Sequence, residues 1–443
     1  MTVLPHLSVG FGIADITPDR PLQLAGIENT RRGREALDAL KARALCVTKG
    51  AEHLVLVAID TLYVSRRLCE RLEGWLEREH GIPGKNLFVT ATHTHCAPLL
   101  LESYREGEGL DEAYVNYVDE QVRSAIEAAL NSTEEVTVSY GSGSAFVSIN
   151  RRSKRVDRDG LRRMRPSNVM RNRPNPRGSV DNLVRCVRFE TRSANALDTL
   201  LVNVGCHPSI IRNDVYSADF PGFIQEQLRS RTGREQNVIF LQGFSGDTRA
   251  RLLEFVNFAV WPPGRFIDWL FDRQRFRKNS LRDDAAWVAR EIVQAILTMN
   301  MTRLSAPKLS AEWMQVPLAL SPGSAGTEVV NAAVAEASRP RGDDVSLRMR
   351  VWSLSDDLQL VGLEGEIFSD YANWMATALQ SQTGLIMPVS CVGGMIGYIP
   401  TKAALMQGGY EVDRSRPLFG LTDRFAPSLE RTLKDGIREL VGN

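Results

Sequence analysis

Three of the six histidines in this 443-residue chain follow apolar segments that have the composition of buried strands. His93 and His95 stand in THTH directly after such a segment, and His207 follows TLLVNVGC. Residues two apart on an extended chain point to the same side, so His93 and His95 can face one cavity. Imidazole is the commonest protein ligand of zinc and similar metals. The pattern therefore predicts a metal site at the ends of two strands.

Familiar His-x-His metal sites fit the remaining residues poorly. A two-metal amidohydrolase barrel needs two later histidines and an aspartate, whereas only His207 follows His95 in this chain. A metallo-β-lactamase needs His-x-His-x-Asp-His, and this chain reads THTHCAP. Both types of site are disfavoured. Because many His-x-His pairs bind no metal, a structural role for the histidines stays an alternative.

Strand-like and helix-like patterns alternate on both sides of these histidines, which favours an α/β fold with mixed β-sheets flanked by helices. Open α/β sheets bind ligands at the carboxyl ends of their strands, where all three histidines lie. We predict one large catalytic domain over residues 1–443. The predicted strands are two within 42–60 and one each at 86–92, 134–140, 183–190, 199–205, 237–242, 358–364 and 386–392; the predicted helices are 64–80, 111–130, 221–230, 283–299 and 428–441.

Two segments interrupt this alternation. Residues 151–181 contain eleven Lys and Arg residues with little apolar periodicity, and residues 254–281 concentrate aromatic residues around a Pro-Pro pair. Both are predicted to be long excursions from the sheet, and such excursions are commonly functional. The best candidate for a domain boundary is the short Ser/Gly-rich stretch at 321–326.

Charge and cysteine content narrow the classes of partner and compartment. The 54 Lys and Arg residues nearly balance the 53 Asp and Glu residues, so the chain has no overall field that would attract nucleic acid or a membrane surface. No apolar run reaches the 18 residues of a membrane span, and the first 20 residues lack a secretory pattern. The six cysteines form no C-x-x-C pair and are predicted to be buried, reduced thiols. We expect a cytoplasmic protein.

A series of short motifs resembles the neutral/alkaline (non-lysosomal) ceramidase superfamily. The matches occur in the family's order across nearly the whole chain, which makes the set specific although each motif alone is weak. They are VGFGIADITP, KARALCV, THTHCAP, INRR at 149–152, NPRGSVD at 175–181, VGCHPS at 204–209, SADFPG at 217–222, LEGE at 363–366 and GYIPT at 397–401.

The resemblance implies a zinc amidohydrolase with one metal ion. By position its ligands would be His93, His207, Glu366 and Tyr398, with Glu364 as a competitor of Glu366. His95 would donate a proton to the leaving group or a hydrogen bond to the oxyanion, and Arg151 would supply a fixed positive charge. Three aspartates are interpreted as groups that orient the site or cap helices: Asp60, Asp219 and Asp247.

The chain departs from the family where ceramidases carry Gly-Asp-Val-Ser-Pro-Asn. Here the segment reads GDTRAR, with Arg249 at the serine position. A serine nucleophile is therefore unsupported and a zinc-activated water is favoured, with Ser245 kept as a weaker alternative. We also expect no C-terminal immunoglobulin-like domain after the last helix. The expected lack of this domain and of a secretion signal weakens any prediction of a lipid substrate.

The substrate class follows only loosely from the sequence. The arginines of 151–177 with Arg249 and Arg251 can form a cationic, substrate-binding pocket for a small anionic molecule, or they can belong to a solvated loop. The aromatic segment can be a lid or a contact within a homo-oligomer. Its aromatic residues are Phe255, Phe258, Trp261, Phe266, Trp269, Phe271 and Phe276.

Three functions remain in competition. The first is zinc-dependent hydrolysis of the amide of a small polar or acylated metabolite. The second is an esterase, lactonase or carbohydrate-directed enzyme on the same scaffold, since a scaffold does not determine its reaction. The third is a nucleic-acid binder that uses the arginines of 151–177, which is disfavoured because no recognition motif matches. Neither a dinucleotide fingerprint nor a P-loop occurs.

Overall fold

Strands and helices alternate through the computed structural model, which describes residues 7–26, 31–100, 110–156, 168–193, 196–255, 274–277, 282–321, 345–379 and 384–442. The helices are α1 (Arg66–His80), α2 (Glu112–Asn131), α3 (Phe220–Thr232), α4 (Arg282–Thr298), α5 (Ser369–Ala378), α6 (Lys402–Gln407) and α7 (Leu429–Val441). Shorter helical turns are Gly84–Asn86, Tyr410–Arg414 and Arg416–Phe419.

The strands are numbered in chain order. Those of the first half are β1 (Ser8–Asp15), β2 (Leu22–Gln23), β3 (Arg32–Gly33), β4 (Glu35–Ala36), β5 (Lys41–Lys49), β6 (Glu52–Ile59), β7 (Leu87–Ala91), β8 (Glu134–Ser144), β9 (Ser148–Val156), β10 (Asn168–Asn175), β11 (Leu183–Thr191), β12 (Thr199–Val204) and β13 (Val215–Tyr216). Those of the second half are β14 (Asn237–Gln242), β15 (Thr248–Ala250), β16 (Leu253–Phe255), β17 (Gln274–Phe276), β18 (Met301–Arg303), β19 (Ser310–Pro317), β20 (Leu320–Ser321), β21 (Ser346–Ser355), β22 (Leu358–Leu363), β23 (Glu366–Ile367), β24 (Leu385–Val389), β25 (Tyr398–Ile399) and β26 (Arg424–Phe425).

Helix ends coincide with residues suited to them. The Ser65 side chain caps α1 by accepting from the amide of Leu68, and Gly81 ends that helix in the left-handed conformation. The Asp111 side chain caps α2 in the same way, through the amide of Tyr114. Both helices lie where the sequence predicted them, at 64–80 and 111–130.

The main sheet has the strand order β14-β12-β11-β8-β1-β5-β6-β7, with β18 added beside β8. Its two outer pairs, β12 with β14 and β6 with β7, are parallel, and the pairs between them are antiparallel. Each parallel pair is connected through a helix, α3 or α1. A smaller sheet, β19-β21-β22-β24, contains a third parallel pair, β22 with β24, connected through α5. The mixed sheets and flanking helices form a single α/β domain and confirm the predicted fold class.

One short segment, residues 390–393, brings the two edges of the main sheet together. Ser390 donates its amide to the carbonyl of Gln242 at the end of β14 (2.8 Å), and Gly393 donates to the carbonyl of Val89 in β7 (2.9 Å). Since adjacent strands lie about 4.8 Å apart, a flat sheet of this width would hold its edges far from each other. The sheet is therefore curled, and the carboxyl ends of β7, β12 and β14 face one region.

Apolar side chains form three clusters around these sheets. One cluster lies between the two sheets and includes Phe88, Leu201 and Trp352. The other two pack the helices against the outer faces, so that α1, α2 and α7 contribute to one and α3 and α4 to the other. The packed layers give the strand ends a rigid support.

The predicted strands and helices are present, with ends that differ by a few residues. The prediction for 151–181 was wrong in one respect. This segment contains most of the antiparallel pair β9 and β10, which forms a three-stranded sheet with β15 instead of an irregular excursion. Two successive arginines of β9, Arg151 and Arg152, are themselves buried, and the sequence pattern therefore did not indicate a strand. Most of 254–281 and of the candidate boundary 321–326 lies outside the described residues, and so do all the aromatic side chains of that segment except Phe276.

All six cysteines are buried and free of disulfides, as predicted. Within the described ranges, no helix combines the length and the apolar character that a bilayer crossing requires.

Candidate metal centre

The side chains that the sequence predicted as ligands converge at the strand ends. His93 follows β7 and His207 follows β12, while Glu366 and Tyr398 are directly paired across the short parallel ladder of β23 and β25. His93 adopts a φ of 67°, an uncommon conformation for a residue other than glycine. Strain of this kind is often retained where a side chain must point into a site.

His93, His95 and His207 form one buried group whose candidate ligand atoms all lie within 4.8 Å of one another. Nε2 of His95 lies 3.0 Å from Nε2 of His207. His93 and His207 are 1% and 2% exposed, whereas His95 is 8% exposed. His95 is therefore the least buried of the three histidines.

His93 and Glu366 face each other with two atoms that lack hydrogen-bond partners. Nδ1 of His93 lies 3.0 Å from the carbonyl of Leu62, to which it donates in the neutral tautomer. Nε2 of that tautomer carries a lone pair, and it lies 3.5 Å from Oε2 of Glu366. Both atoms are buried without another partner. Two acceptors that face each other in a buried site require a positive charge between them, as a proton or as a metal ion.

Burial and the neighbouring charged groups shift the pKa values of the three histidines. Burial lowers the pKa of His93, but Cys391 and the Glu366 carboxylate raise it more, to about 10. Burial also lowers the pKa of His207 and of His95, and the charges of His93 and Arg151 add to the effect. Burial raises the pKa of Glu366, yet His93 and Arg151 bring it below its usual range. The carboxylate is therefore ionised.

Tyr63 orients this carboxylate. Its hydroxyl donates to Oε1 of Glu366 at 2.6 Å, which leaves Oε2 directed at the histidines. Burial and the negative charge of Glu366 raise the pKa of Tyr63 well above its usual value, so the phenol keeps its proton. Nδ1 of His207 lies 3.9 Å from the same Oε2. Glu366 thus stands between two histidines with one oxygen held and the other available.

Arg151 contacts the fourth predicted ligand, Tyr398. Its Nη2 donates to the Tyr398 hydroxyl at 3.2 Å and to the carbonyl of Gly246 at 2.8 Å, and its guanidinium lies 5.5 Å from the centre of the tyrosine ring. Its Nε donates to Glu411 at 2.9 Å. Glu411 also accepts from Arg152 at 2.6 Å. The Arg151 charge is thus paired by Glu411 and directed at Tyr398.

Glu364, the competitor of Glu366, lies elsewhere. It is fully buried and forms an ion pair with Arg66 through both carboxylate oxygens, and it also accepts from the amide of Arg348 at 2.9 Å. Both carboxylate oxygens of Glu364 accept hydrogen bonds from these donors, and the side chain is therefore not directed at the histidines. The geometry favours Glu366 of the two.

The three aspartates accept hydrogen bonds from backbone amides and side chains. Asp60 accepts from the amide of Lys41 at 2.9 Å and from Arg43 at 2.8 Å. Asp219 accepts from the amides of residues 210, 211 and 220, and it thereby joins the loop after His207 to the start of α3. Asp247 accepts from Asn150 at 2.8 Å and from the amide of Ser369 at 2.9 Å. None of these carboxylates is placed at the histidine group.

The remaining predicted residues are Arg249, Arg251 and Ser245. Arg249 borders a separate cavity described below, whereas Arg251 is exposed and is not among the residues that border it. The Ser245 hydroxyl accepts from Gln242 at 2.7 Å, and it is the carbonyl of Ser245, not its hydroxyl, that lies 3.4 Å from Nδ1 of His207. This contact does not make Ser245 a nucleophile.

Several functional contacts were not predicted from the sequence. Tyr63 and Glu411 bind two of the predicted residues, and Cys391 Sγ lies 3.6 Å from Nδ1 of His93. Gly26 packs so closely on the His95 ring that a Cβ at this position would overlap Nδ1. No local motif marks these four residues. For Tyr63 the only signal was its place after the apolar strand β6, at the same sheet edge as His93.

Structural comparison places this geometry on a known fold. The chain is similar to the crystal structure of neutral ceramidase from Pseudomonas aeruginosa, with a TM-score of 0.72 and 15% sequence identity over 99% of this chain and 74% of the other. It is similar also to a ceramidase complexed with C2, with a TM-score of 0.71 and 15% identity over 99% of this chain and 75% of the other. The chain therefore has the neutral ceramidase fold, as the motif series predicted.

Sequence comparison adds nothing to this result, because no family model and no curated protein matches the chain.

Proposed function

We propose that this protein is a zinc-dependent hydrolase that cleaves the C–N amide bond of a small polar or acylated metabolite. The observation that carries the proposal is the buried pair of unpartnered acceptors, His93 Nε2 and Glu366 Oε2, beside His207. Nitrogen and oxygen donors in a dry site suit zinc. The ceramidase fold adds support, since the fold neighbours are ceramidases.

The residues that would hold zinc are His93, His207, Glu366 and Tyr398. A zinc ion bound there supplies Lewis acidity, which lowers the pKa of a water toward about 7 and polarises the scissile carbonyl. Tyr63 keeps the Glu366 carboxylate oriented, and the Leu62 carbonyl holds the His93 ring in one tautomer. Such supporting hydrogen bonds are typical of metal-binding imidazoles and carboxylates.

His95 moves the proton in this proposal. Hydrolysis forms a C–O bond with water, breaks the C–N bond and requires one proton to pass from the water to the departing amine. His95 is in the histidine group and is its most exposed member, so it can accept that proton and deliver it to nitrogen. Arg151 holds the Tyr398 hydroxyl in place and contributes positive charge where the oxyanion develops.

Metal content tests the proposal directly. Protein purified without chelator is analysed by elemental mass spectrometry, beside His207→Ala and the control His80→Ala, which removes an exposed histidine at the end of α1. We expect near-stoichiometric zinc in the wild type and the control, and a large loss in His207→Ala. Wild-type protein without metal after expression in zinc-supplemented medium would contradict the proposal.

The histidines also offer a second ligand set, His93, His95 and His207. The two sets differ in the variants that lose metal. In the set we propose, Glu366→Gln weakens zinc binding and His95→Gln leaves it intact. The reverse result would assign His95 to the metal and remove it from proton transfer.

Substrate screening decides the bond type. N-acyl amino acids and N-acyl amines are compared with matched esters and lactones, with release of the amine or alcohol as the readout. Turnover of amides that requires zinc supports the proposal, and turnover of esters or lactones alone would replace it with the second function.

The unpaired state of all six cysteines supports a reducing compartment, and we propose that the protein acts in the cytoplasm.

A further inference from the structure

A cavity of about 370 Å³ is bordered by five arginines. The residues that border it are Asn172, Arg173, Arg212, Arg249, Arg275, Phe276 and Arg277. Four of the five arginines are half-buried, and Arg277 is exposed. A cavity of this size holds a small ligand group.

The five arginines come from four separate parts of the chain. Arg173 is on β10, Arg212 is in the loop after His207, Arg249 is on β15, and Arg275 and Arg277 are on or directly after β17. Of these five arginines, only Arg173 and Arg249 were among those that the sequence predicted to form a cationic pocket. The other three reach the cavity because β17 and the loop after β12 fold against the three-stranded sheet.

Contacts with the protein hold several of these side chains in place. The Arg249 guanidinium stacks on the Phe276 ring, 4.4 Å from its centre, and Phe276 is itself buried. Arg212 donates through Nε to the carbonyl of Ser209 at 3.4 Å, and Arg277 donates to Asp284 at 2.6 Å. Side chains that are already ordered lose less entropy when they bind a ligand.

The charge of the cavity is positive. Among the described residues that border it, five carry a guanidinium and none carries a carboxylate. Among the described residues, Asp284 pairs with Arg277, and Glu254 stands opposite Arg275 in the β16–β17 ladder. Both carboxylates therefore lie against the arginines of the β17 segment, whereas Arg212 follows His207 along the chain and Arg249 lies on β15.

Two connections link the cavity to the candidate active site. Arg31 donates to the carbonyl of His95 at 3.3 Å and to the carbonyl of Asn213 at 3.1 Å, so that it ties His95 to the residue after Arg212. Arg249 pairs with Ile149 of β9 and so shares a sheet face with Arg151, two residues further along β9. The cavity is therefore connected to the candidate active site through the loop after His207 and through β9.

We propose that this cavity binds a phosphate group of the substrate, so that the enzyme acts on amides of phosphorylated metabolites. This inference rests on the proposed hydrolase function and names its substrate class. Guanidinium groups bind phosphate through paired hydrogen bonds, and a phosphate dianion offers three acceptor oxygens to several arginines at once. A single carboxylate would use fewer of them.

Binding of inorganic phosphate tests the proposal without any substrate. Isothermal titration is carried out on the protein as purified and again after dialysis against a chelator, so that phosphate bound to metal is subtracted. We expect binding that persists without metal and weakens at least about 10-fold in Arg249→Gln and in Arg212→Gln, since each removes one charge-assisted contact. The control Arg192→Gln removes an exposed arginine that pairs with Glu135, and its affinity should match the wild type.

Three results would overturn the inference. Phosphate that binds only in the presence of metal, or equally in Arg249→Gln and the wild type, would show that the arginines do not form the site. Succinate that binds more tightly than phosphate would reassign the cavity to carboxylates. A short single-stranded oligonucleotide that binds more tightly than phosphate, with steep salt dependence, would reassign it to nucleic acid.

The substrate assays separate this inference from the proposed function. If neutral amides are hydrolysed as efficiently as their phosphorylated counterparts, the hydrolase function stands and the phosphate site is overturned. If phosphate binds at the arginines while no amide or ester is cleaved, the phosphate site stands and the hydrolase function is overturned. If both hold, Arg249→Gln should raise KM for the phosphorylated amide about 10-fold or more with little change in kcat.

Discussion

Glu366 shows how one carboxylate can be held for a metal. Its Oε1 is held by the Tyr63 hydroxyl, and its Oε2 is directed at His93 and His207 without another donor. If both oxygens were satisfied within the protein, as they are in Glu364, the residue would be structural. The asymmetry between the two oxygens is the feature that favours Glu366 as the proposed ligand.

Tyr63→Phe should weaken metal binding by about 10- to 100-fold, the usual effect of removing a hydrogen bond that orients a ligand. The variant keeps the ring and loses only the donor to Glu366 Oε1. Zinc affinity is measured by competition with a chromophoric chelator. Tyr117→Phe removes an exposed hydroxyl that donates to a backbone carbonyl, and its affinity should equal that of the wild type. Equal affinities in both variants would show that Tyr63 does not orient the ligand.

His95→Gln should separate the chemistry of amides from that of esters. Loss of a general acid should slow amide hydrolysis by about 10²- to 10⁴-fold, because an amine cannot leave without a proton. A p-nitrophenyl ester, whose leaving group needs no proton, should lose less than about 10-fold. Rates on both substrates are measured at equal zinc occupancy. A similar loss on both would mean that His95 acts on a step the two reactions share.

Local patterns predicted the histidines of the site and could not predict the residues that hold them. His93, His95 and His207 follow apolar strands, and the parallel strands of a sheet end at a common edge, so their convergence could be expected. Glu411 contacts Arg151 across 260 residues, and Gly26 contacts His95 only because the chain before β3 folds back. Contacts of this range depend on the complete fold and leave no periodic signal.

At the level of elements, Asp219 joins a loop to a helix. Its side chain caps α3 by accepting from the amide of Phe220. It also accepts from the amides of Ile210 and Ile211, which lie three and four residues after His207. Its φ of 59° is uncommon for a residue other than glycine, although Asp and Asn tolerate positive φ better than most. Asp219 thus holds the loop after His207 together with Arg31, which donates to the carbonyl of Asn213.

Asp219 should make stability depend on pH. Burial raises its pKa to about 6, although three backbone donors oppose the shift. Because the folded pKa lies above the unfolded value of about 3.9, folding favours the protonated form. The contribution to stability is complete below about pH 4 and is lost as the pH rises through about 6.

Urea unfolding of the wild type and Asp219→Asn at several pH values between 4.5 and 7.5 measures this contribution. The free energy of unfolding of the wild type, relative to the variant, should fall up to about pH 6.5 and then stay constant. Burial raises the pKa of Asp38, near the start of α3, to about 6 as well, so the difference between the two proteins is the relevant quantity. A difference that does not change with pH would show that Asp219 keeps an ordinary pKa in the folded protein.

The strands that were missed show the limit of periodicity. β9 was hidden because Arg151 and Arg152 are buried, and buried arginines in succession resemble a solvated loop in sequence. Their partner, Glu411, lies far along the chain. By contrast β6, β7 and β12 consist mainly of buried apolar residues, and the sequence predicted strands at these places. Patterns predict elements whose burial is apolar and miss those whose buried charges are paired at long range.

In the molecule as a whole, closure of the main sheet brings the site together. His93 follows β7 at one edge and His207 follows β12 near the other, and segment 390–393 joins the two edges. The sequence predicts α/β layers and strand ends, but it does not predict that the sheet curls. The hydrogen bonds by which Ser390 and Gly393 join the two edges are not marked by any local pattern. The same segment places Cys391 beside His93.

Because packed layers and backbone hydrogen bonds support the strand ends, the fold should not depend on metal. We expect protein dialysed against a chelator to keep its helical circular dichroism and a cooperative unfolding transition. Zinc should then raise the free energy of unfolding by mass action, by about 2.7 kcal/mol when free zinc is 100 times the dissociation constant. The effect should increase linearly with the logarithm of zinc concentration and disappear in His207→Ala, while His80→Ala should respond like the wild type. Loss of secondary structure after chelation would show that the metal holds the sheet edges together and is not simply bound to a site that they have already formed.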